Sequence, residues 1–295
     1  MKKFIIKASG WLILIVGVHL YLGTFADGKT DPYYLRFTTP KQSSLIIGTS
    51  RAAQGIVPSI LDSMLNRQGH FYNFSFTLGH SPFGATYLNA IKRKKLVNET
   101  GTINVIAVDP WSLAINLLED ELALGNTKVI NMNPNYLYLL KNYEYGWLRL
   151  ITETQYNMEL KQDGWLEVHV SMDSLAVARR KLSVLRNYEE RILAGVKTSS
   201  ERIRSFMETI EFLKENGSAV VVRLPVTEEM LQLENDIAPN FNYTIDSICK
   251  TLQVDFWDFS KTHSKYKFTD AHHLFKESSK EFTKNLASKM LKEGL

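Results

Sequence analysis

The chain has 295 residues, with 35 lysines and arginines against 31 aspartates and glutamates, a net charge of +4, and 44% hydrophobic residues. That is enough apolar material for one large domain or two small ones, and it excludes a disordered chain. Cys249 is the single cysteine, which excludes an internal disulfide and a zinc site of cysteine spacing.

The chain opens with Lys2, Lys3 and Lys7 ahead of an apolar stretch from Ala8 to Leu22. Basic residues before an apolar segment keep the N-terminus in the cytoplasm and send the downstream chain across the membrane. Phe4 to Gly23 is long for a signal-peptide core and marginal for a span, with Lys7 and His19 interrupting it. Residues 1–26 are therefore read as an uncleaved single anchor, with removal after Thr24-Phe25-Ala26 as the alternative. The remainder, residues 40–295, is expected to form one domain outside the cytoplasm, secreted if the segment is cleaved.

Beyond the anchor, short apolar runs alternate with helical patterns. The runs are Ser44 to Ile47, Phe71 to Phe76, Ile103 to Val108, Ala219 to Leu224 and Val254 to Phe259. Each is nearly continuous, as in parallel strands covered on both faces. Helical patterns cover Pro58 to Gln68, Gly84 to Leu96, Ser200 to Asn216 and Asn240 to Leu252. A last helix spans about Ser278 to Leu291, with Phe282, Leu286 and Met290 on one face. The alternation predicts an α/β fold, a five-stranded parallel sheet with right-handed crossovers. From about 112 to 196 the rhythm breaks. This insertion reads as largely helical, with a short hairpin near Trp165 to Val170. Its tyrosines and tryptophans either line a cleft or pack a subdomain. The Lys92-Arg93-Lys94-Lys95 run reads as a solvated helix end rather than a nucleic-acid patch.

Open α/β sheets bind ligands beyond the C-terminal ends of their strands. The first strand ends on Gly48-Thr49-Ser50 and the second leads to a loop holding Gly79. The third ends on Asp109-Pro110-Trp111 and the fourth on Arg223. "FTDAHHLF", with Asp270, His272 and His273, comes after the fifth. A serine needs a histidine base, and the base needs an orienting group. Asp270 and His273 stand three apart, so the carboxylate can turn back onto the imidazole. Ser50 alone reads equally as a helix cap. His272 and His273 alone read as a surface pair or metal ligands, but no carboxylate or cysteine cluster supports a metal.

Together, "IIGTSRAAQGI" and "FTDAHHLFKESSKEFTKNLASKM" resemble the first and last blocks of the SGNH/GDSL hydrolase superfamily. Gly48-Thr49-Ser50 is similar to its Gly-Asp-Ser turn, with Thr49 in place of the aspartate. Asp270-Ala271-His272-His273 is similar to its Asp-x-x-His. "YNFSFTLGHSPFG" is similar to its second block. Val108-Asp109-Pro110-Trp111 stands where Gly-x-Asn-Asp is usual. The resemblance implies a three-layer α/β/α flavodoxin-like fold, with Ser50 as nucleophile, His273 as base and Asp270 as its orienter. It also implies oxyanion donors on the backbone of Ser50 and Gly79, and no cofactor or metal. With the anchor, it is similar to the membrane-anchored branch that works beside membrane-bound O-acyltransferases in alginate acetylation and teichoic acid D-alanylation. That implies a serine acyltransferase or esterase acting on an envelope polysaccharide, or an inactive glycan-binding or scaffolding relative. Arg51 and Arg223, with Asp109, are the candidate substrate contacts, holding a sugar carboxylate or phosphate, or else forming structural ion pairs.

Overall fold

A computed structural model describes residues 1–23, 36, 39–66, 70–79, 81, 83–115 and 157–295. Contacts divide the chain into two compact units, Met1–Thr39 with Met132–Leu160, and Pro40–Asn131 with Lys161–Leu295. The first unit contains α1, Lys2–Gly23. Within it Lys2–Tyr21 is long and apolar enough to cross a membrane, and its side chains are exposed. The Thr24 to Ala26 site lies outside the described residues.

The second unit is built on a five-stranded sheet. Its elements begin β1 (Ser44–Ile47), α2 (Ser50–Gly55), α3 (Pro58–Leu65), β2 (Phe71–Asn73), α4 (Ala85–Lys94) and β3 (Ile103–Ala107). A 3-10 turn, Pro110–Leu113, leads to β4 (Ala114–Ile115). Beyond β5 (Met158–Leu160), which belongs to the first unit, come β6 (Leu166–Val168), α5 (Ser174–Leu193), β7 (Lys197–Thr198) and α6 (Ser200–Glu215). The chain finishes with β8 (Ser218–Arg223), α7 (Glu228–Ile237), α8 (Phe241–Leu252), β9 (Asp255–Asp258) and α9 (Lys276–Lys292).

The sheet order is β2-β1-β3-β8-β9, every pairing parallel. All four residues of β1 and all five of β3 are buried, because helices cover both faces and the pleat turns alternate side chains to each. Ile46, Val105, Val220 and Val222 join α2, α3 and α9 through Ala52, Leu61, Phe282 and Leu286. On the other side α6 packs on β3 and β8, flanked by α4 and α8. Strand order reverses between β1 and β3, which opens the crevice there.

The five strands fall where the apolar runs place them. Two helices, α5 and α7, stand where the sequence pattern singles out no separate helix. Both alternate apolar and charged residues and bury little. The expected hairpin is a tight turn before β6, closed by the Lys161 N–H donating to Trp165 O at 2.8 Å. The tyrosine-rich stretch at 131–150 lies outside the described residues.

Candidate active site

Gly48 ends β1 with φ +150°, and a Cβ there would stand 2.9 Å from Ala107 Cβ. Only glycine takes this close approach to β3 without strain. Its carbonyl accepts from Phe76 N at 3.2 Å and from Ser81 Oγ at 2.7 Å. The chain beyond β2 thus continues alongside β1, and the turn holding Gly79 is stapled to the turn holding Ser50. Asn73 fixes α2 from the same side, donating through Nδ2 to Ala52 O at 2.8 Å and to Ile56 O at 2.9 Å.

Ser50 is the first residue of α2, and no side chain caps that helix. Thr49, at the cap position, donates its hydroxyl to Asp109 Oδ2 at 3.2 Å instead. Ser50 Oγ lies 2.9 Å from His273 Nε2. Ser50 is therefore not the cap of α2, and its hydroxyl meets the imidazole instead.

The loop before α9 is self-locking. Phe268 bridges Leu274, and Thr269 N donates to His273 O at 2.9 Å. Asp270 Oδ1 accepts from the backbone N–H groups of His272 and His273 at 2.8 and 2.9 Å. Asp270 Oδ2 lies 2.7 Å from His273 Nδ1. Two amides hold the carboxylate, and the carboxylate holds the ring. Burial pushes the Asp270 carboxyl up, but the charge and hydrogen bond of His273 outweigh it and leave the group well below the usual range. The side chains of His273 and Asp270 remain 16% and 13% exposed, so the relay is reachable from solvent.

His272 is buried and packs its ring 4.0 Å from that of His273 and 5.3 Å from that of Tyr188. Desolvation, then the charges of His273 and Arg51, hold it well below the ordinary histidine range, so it is neutral. Asp270, His272 and His273 together bring three metal-type ligand atoms close. Both ring nitrogens of His273 already face Asp270 and Ser50, so an ion would have to break the relay.

Arg51, Arg223 and Asp109 do not stand free for a charged ligand. Glu234, fully buried on α7, receives Arg51 Nη1 at 2.5 Å on one oxygen and Arg223 Nη2 at 2.6 Å on the other. Arg223 also donates to Asn242 Oδ1 at 2.6 Å and lies over the Phe241 ring. Asp109 lies 4.0 Å from Arg51 Nε and caps the 3-10 turn by accepting from Ser112 N at 2.9 Å. Desolvation opposes the Arg51 charge, but Glu234 and Asp109 raise its pKa further above the ordinary value. Of the two readings, a sugar carboxylate or phosphate contact and a structural ion pair, Arg223 forms the ion pair, with Glu234, and keeps its Nε without a partner. Asp109 is likewise an acceptor that is already occupied. Arg51 keeps one arm, Nη2, without a partner.

Gly79 lies in an exposed turn with open space around its Cα. Glu234 is the residue that sequence reasoning passes over, whereas Trp111 enters it as the end of the third strand and Tyr188 as one of the insertion's tyrosines. A lone glutamate among Glu228, Glu229 and Asp236 reads as surface charge, and only its register on α7 could single it out. No protein-family model matches the chain, and no curated protein matches it.

Proposed function

We propose that the chain is a serine acyltransferase or esterase of the SGNH/GDSL kind. Ser50, His273 and Asp270 are its catalytic residues, and an ester on an envelope polysaccharide is its substrate. One observation carries the reading: Ser50 Oγ stands 2.9 Å from His273 Nε2 while Asp270 Oδ2 stands 2.7 Å from Nδ1 of the same ring. Three side chains from two ends of the chain meet in the order nucleophile, base, orienter. The strand order β2-β1-β3-β8-β9 favours the flavodoxin-like, three-layer form of the fold. The apolar α1 fits an anchor holding the domain outside the cytoplasm, beside a membrane-bound O-acyltransferase.

In this reading His273 Nε2 takes the Ser50 proton as Oγ attacks the ester carbonyl. Asp270 steadies the imidazolium, which then passes the proton to the departing alcohol oxygen. A sugar hydroxyl or water, deprotonated by the same nitrogen, releases the acyl group and restores Ser50. The backbone N–H groups of Ser50 and Gly79 are the proposed donors to the oxyanion.

Asp109 favours a second reading. It stands where the family brings a side-chain donor, yet it is an acceptor engaged by Thr49 and Ser112. A scaffolding or glycan-binding partner that never turns over would tolerate this. Labelling by a fluorophosphonate probe separates the two. The enzyme is labelled at Ser50, and Ser50→Ala abolishes labelling together with hydrolysis of p-nitrophenyl acetate. A wild-type chain that resists the probe and leaves the ester intact is the scaffold.

A further inference from the structure

Three buried nitrogens beside the relay have no hydrogen-bond partner: Arg51 Nη2, Trp111 Nε1 and His272 Nδ1. Their side chains belong to residues only 5%, 3% and 6% exposed. A buried polar nitrogen without a hydrogen-bond partner is costly, so three in one neighbourhood call for an explanation. All three gather around Tyr188. Its ring meets Trp111 edge-on at 4.3 Å between centroids and His272 at 5.3 Å, and its hydroxyl feels the charge of Arg51. His272 in turn packs on His273, which is bonded to Ser50.

The charges here are already matched. Arg51 and Arg223 face Glu234 and Asp109, and Asp270 adds a further carboxylate. The three nitrogens therefore lack hydrogen-bond partners, not counter-charges. Tyr188 covers them from the solvent side, half-buried on α5, a helix with no fully buried side chain.

We propose that Arg51 Nη2, Trp111 Nε1 and His272 Nδ1 form a subsite for the uncharged oxygens of a polyhydroxylated alcohol, entered when the Tyr188 ring swings aside. The role of that alcohol, as leaving or accepting partner, rests on the acyl-transfer reading; the binding itself does not.

The test uses the full chain in detergent. Binding of methyl β-D-glucopyranoside, N-acetylglucosamine and glycerol is followed by saturation-transfer NMR, and the burst of p-nitrophenol from p-nitrophenyl acetate is measured on the wild type in parallel. At least one neutral probe is expected to bind the wild type. Trp111→Phe, which keeps an aromatic ring and removes Nε1–H, is expected to weaken it about tenfold. If that variant does not fold, Tyr188→Ala replaces it, with severalfold tighter binding expected because the roof is gone. The subsite is refuted if no neutral probe binds the wild type, or if the variant measured shows unchanged affinity. Tighter binding of methyl β-D-glucuronide than of its neutral counterpart refutes it as well. Probe binding without a p-nitrophenol burst instead sinks the acyl-transfer reading and leaves the subsite standing.

Discussion

The Thr49 hydroxyl donates to Asp109 Oδ2 at 3.2 Å, tying the turn before α2 to the end of β3. Both residues are buried, at 4% and 6% exposure. A threonine at 49 thus has a physical reason, since a carboxylate there would face the carboxylate of Asp109.

Thr49→Asp should destabilise the protein by about 1–3 kcal/mol, from like charges held in a dry site. Asp109→Thr on top of it should recover part of the loss, giving a coupling in a double-mutant cycle. Urea unfolding of the four proteins measures this, and additive losses would show that the two positions do not feel each other.

Asp270→Asn should cut turnover of p-nitrophenyl acetate by about 10³-fold or more, because an amide cannot hold the imidazolium. Stability moves in a defined direction with pH. The Asp270 pKa is lower in the folded state than in the unfolded chain. Its contribution is therefore complete above the unfolded carboxylate value of about 4, and falls away as pH drops toward the folded one. Acid titrations followed by circular dichroism should show a shallower loss for Asp270→Asn than for the wild type.

His272 gives a second window. It stays neutral when folded, whereas the unfolded chain takes up a proton on it below about pH 6.5. The unfolded state then binds more protons, so stability contributed here declines as pH falls from about 7 to about 5. The groups facing it are His273, Arg51 and Asp270, with the Tyr188 ring. His272→Phe should flatten the slope of melting temperature over that range relative to wild type; parallel slopes would count against a buried neutral imidazole.

Glu234 holds two arginines in a fully buried site. Glu234→Ala strands both and should cost about 3–5 kcal/mol, in the range for breaking a buried pair. Glu234→Gln keeps the shape and an acceptor and should cost less. Because Arg51 comes directly after Ser50, the glutamine variant should also label more slowly with a fluorophosphonate than its melting temperature would explain. Wild-type labelling in Glu234→Gln would confine Glu234 to stability alone.

The sheet was legible because β1, β3 and β8 are buried on both faces and so leave continuous apolar runs. The meeting of Ser50, His273 and Asp270 was also legible, since each stands beyond a strand end and Asp270 reaches His273 within one turn of loop. Glu234 was not, because nothing local distinguishes a buried glutamate from its exposed neighbours on an amphipathic helix. Its burial depends on two arginines from distant elements, Arg51 on α2 and Arg223 on β8. Strand order places Arg51 and Arg223 at the crevice correctly, but their direction depends on that same unseen partner. Thr49 looks like a departure from pattern until Asp109, sixty residues on, supplies the reason.

Ser50 and His273 are separated by 223 positions, nearly the whole length of the second unit. During synthesis the turn holding Ser50 emerges early, whereas the loop holding Asp270 and His273 is made with the last strand and α9. Closing so long a loop carries a large entropic cost that only the finished sheet offsets. Until that loop is made, Ser50 stands without its histidine. Its relay assembles only after the C-terminal end arrives, which makes labelling of Ser50 a readout of complete folding as well as of chemistry.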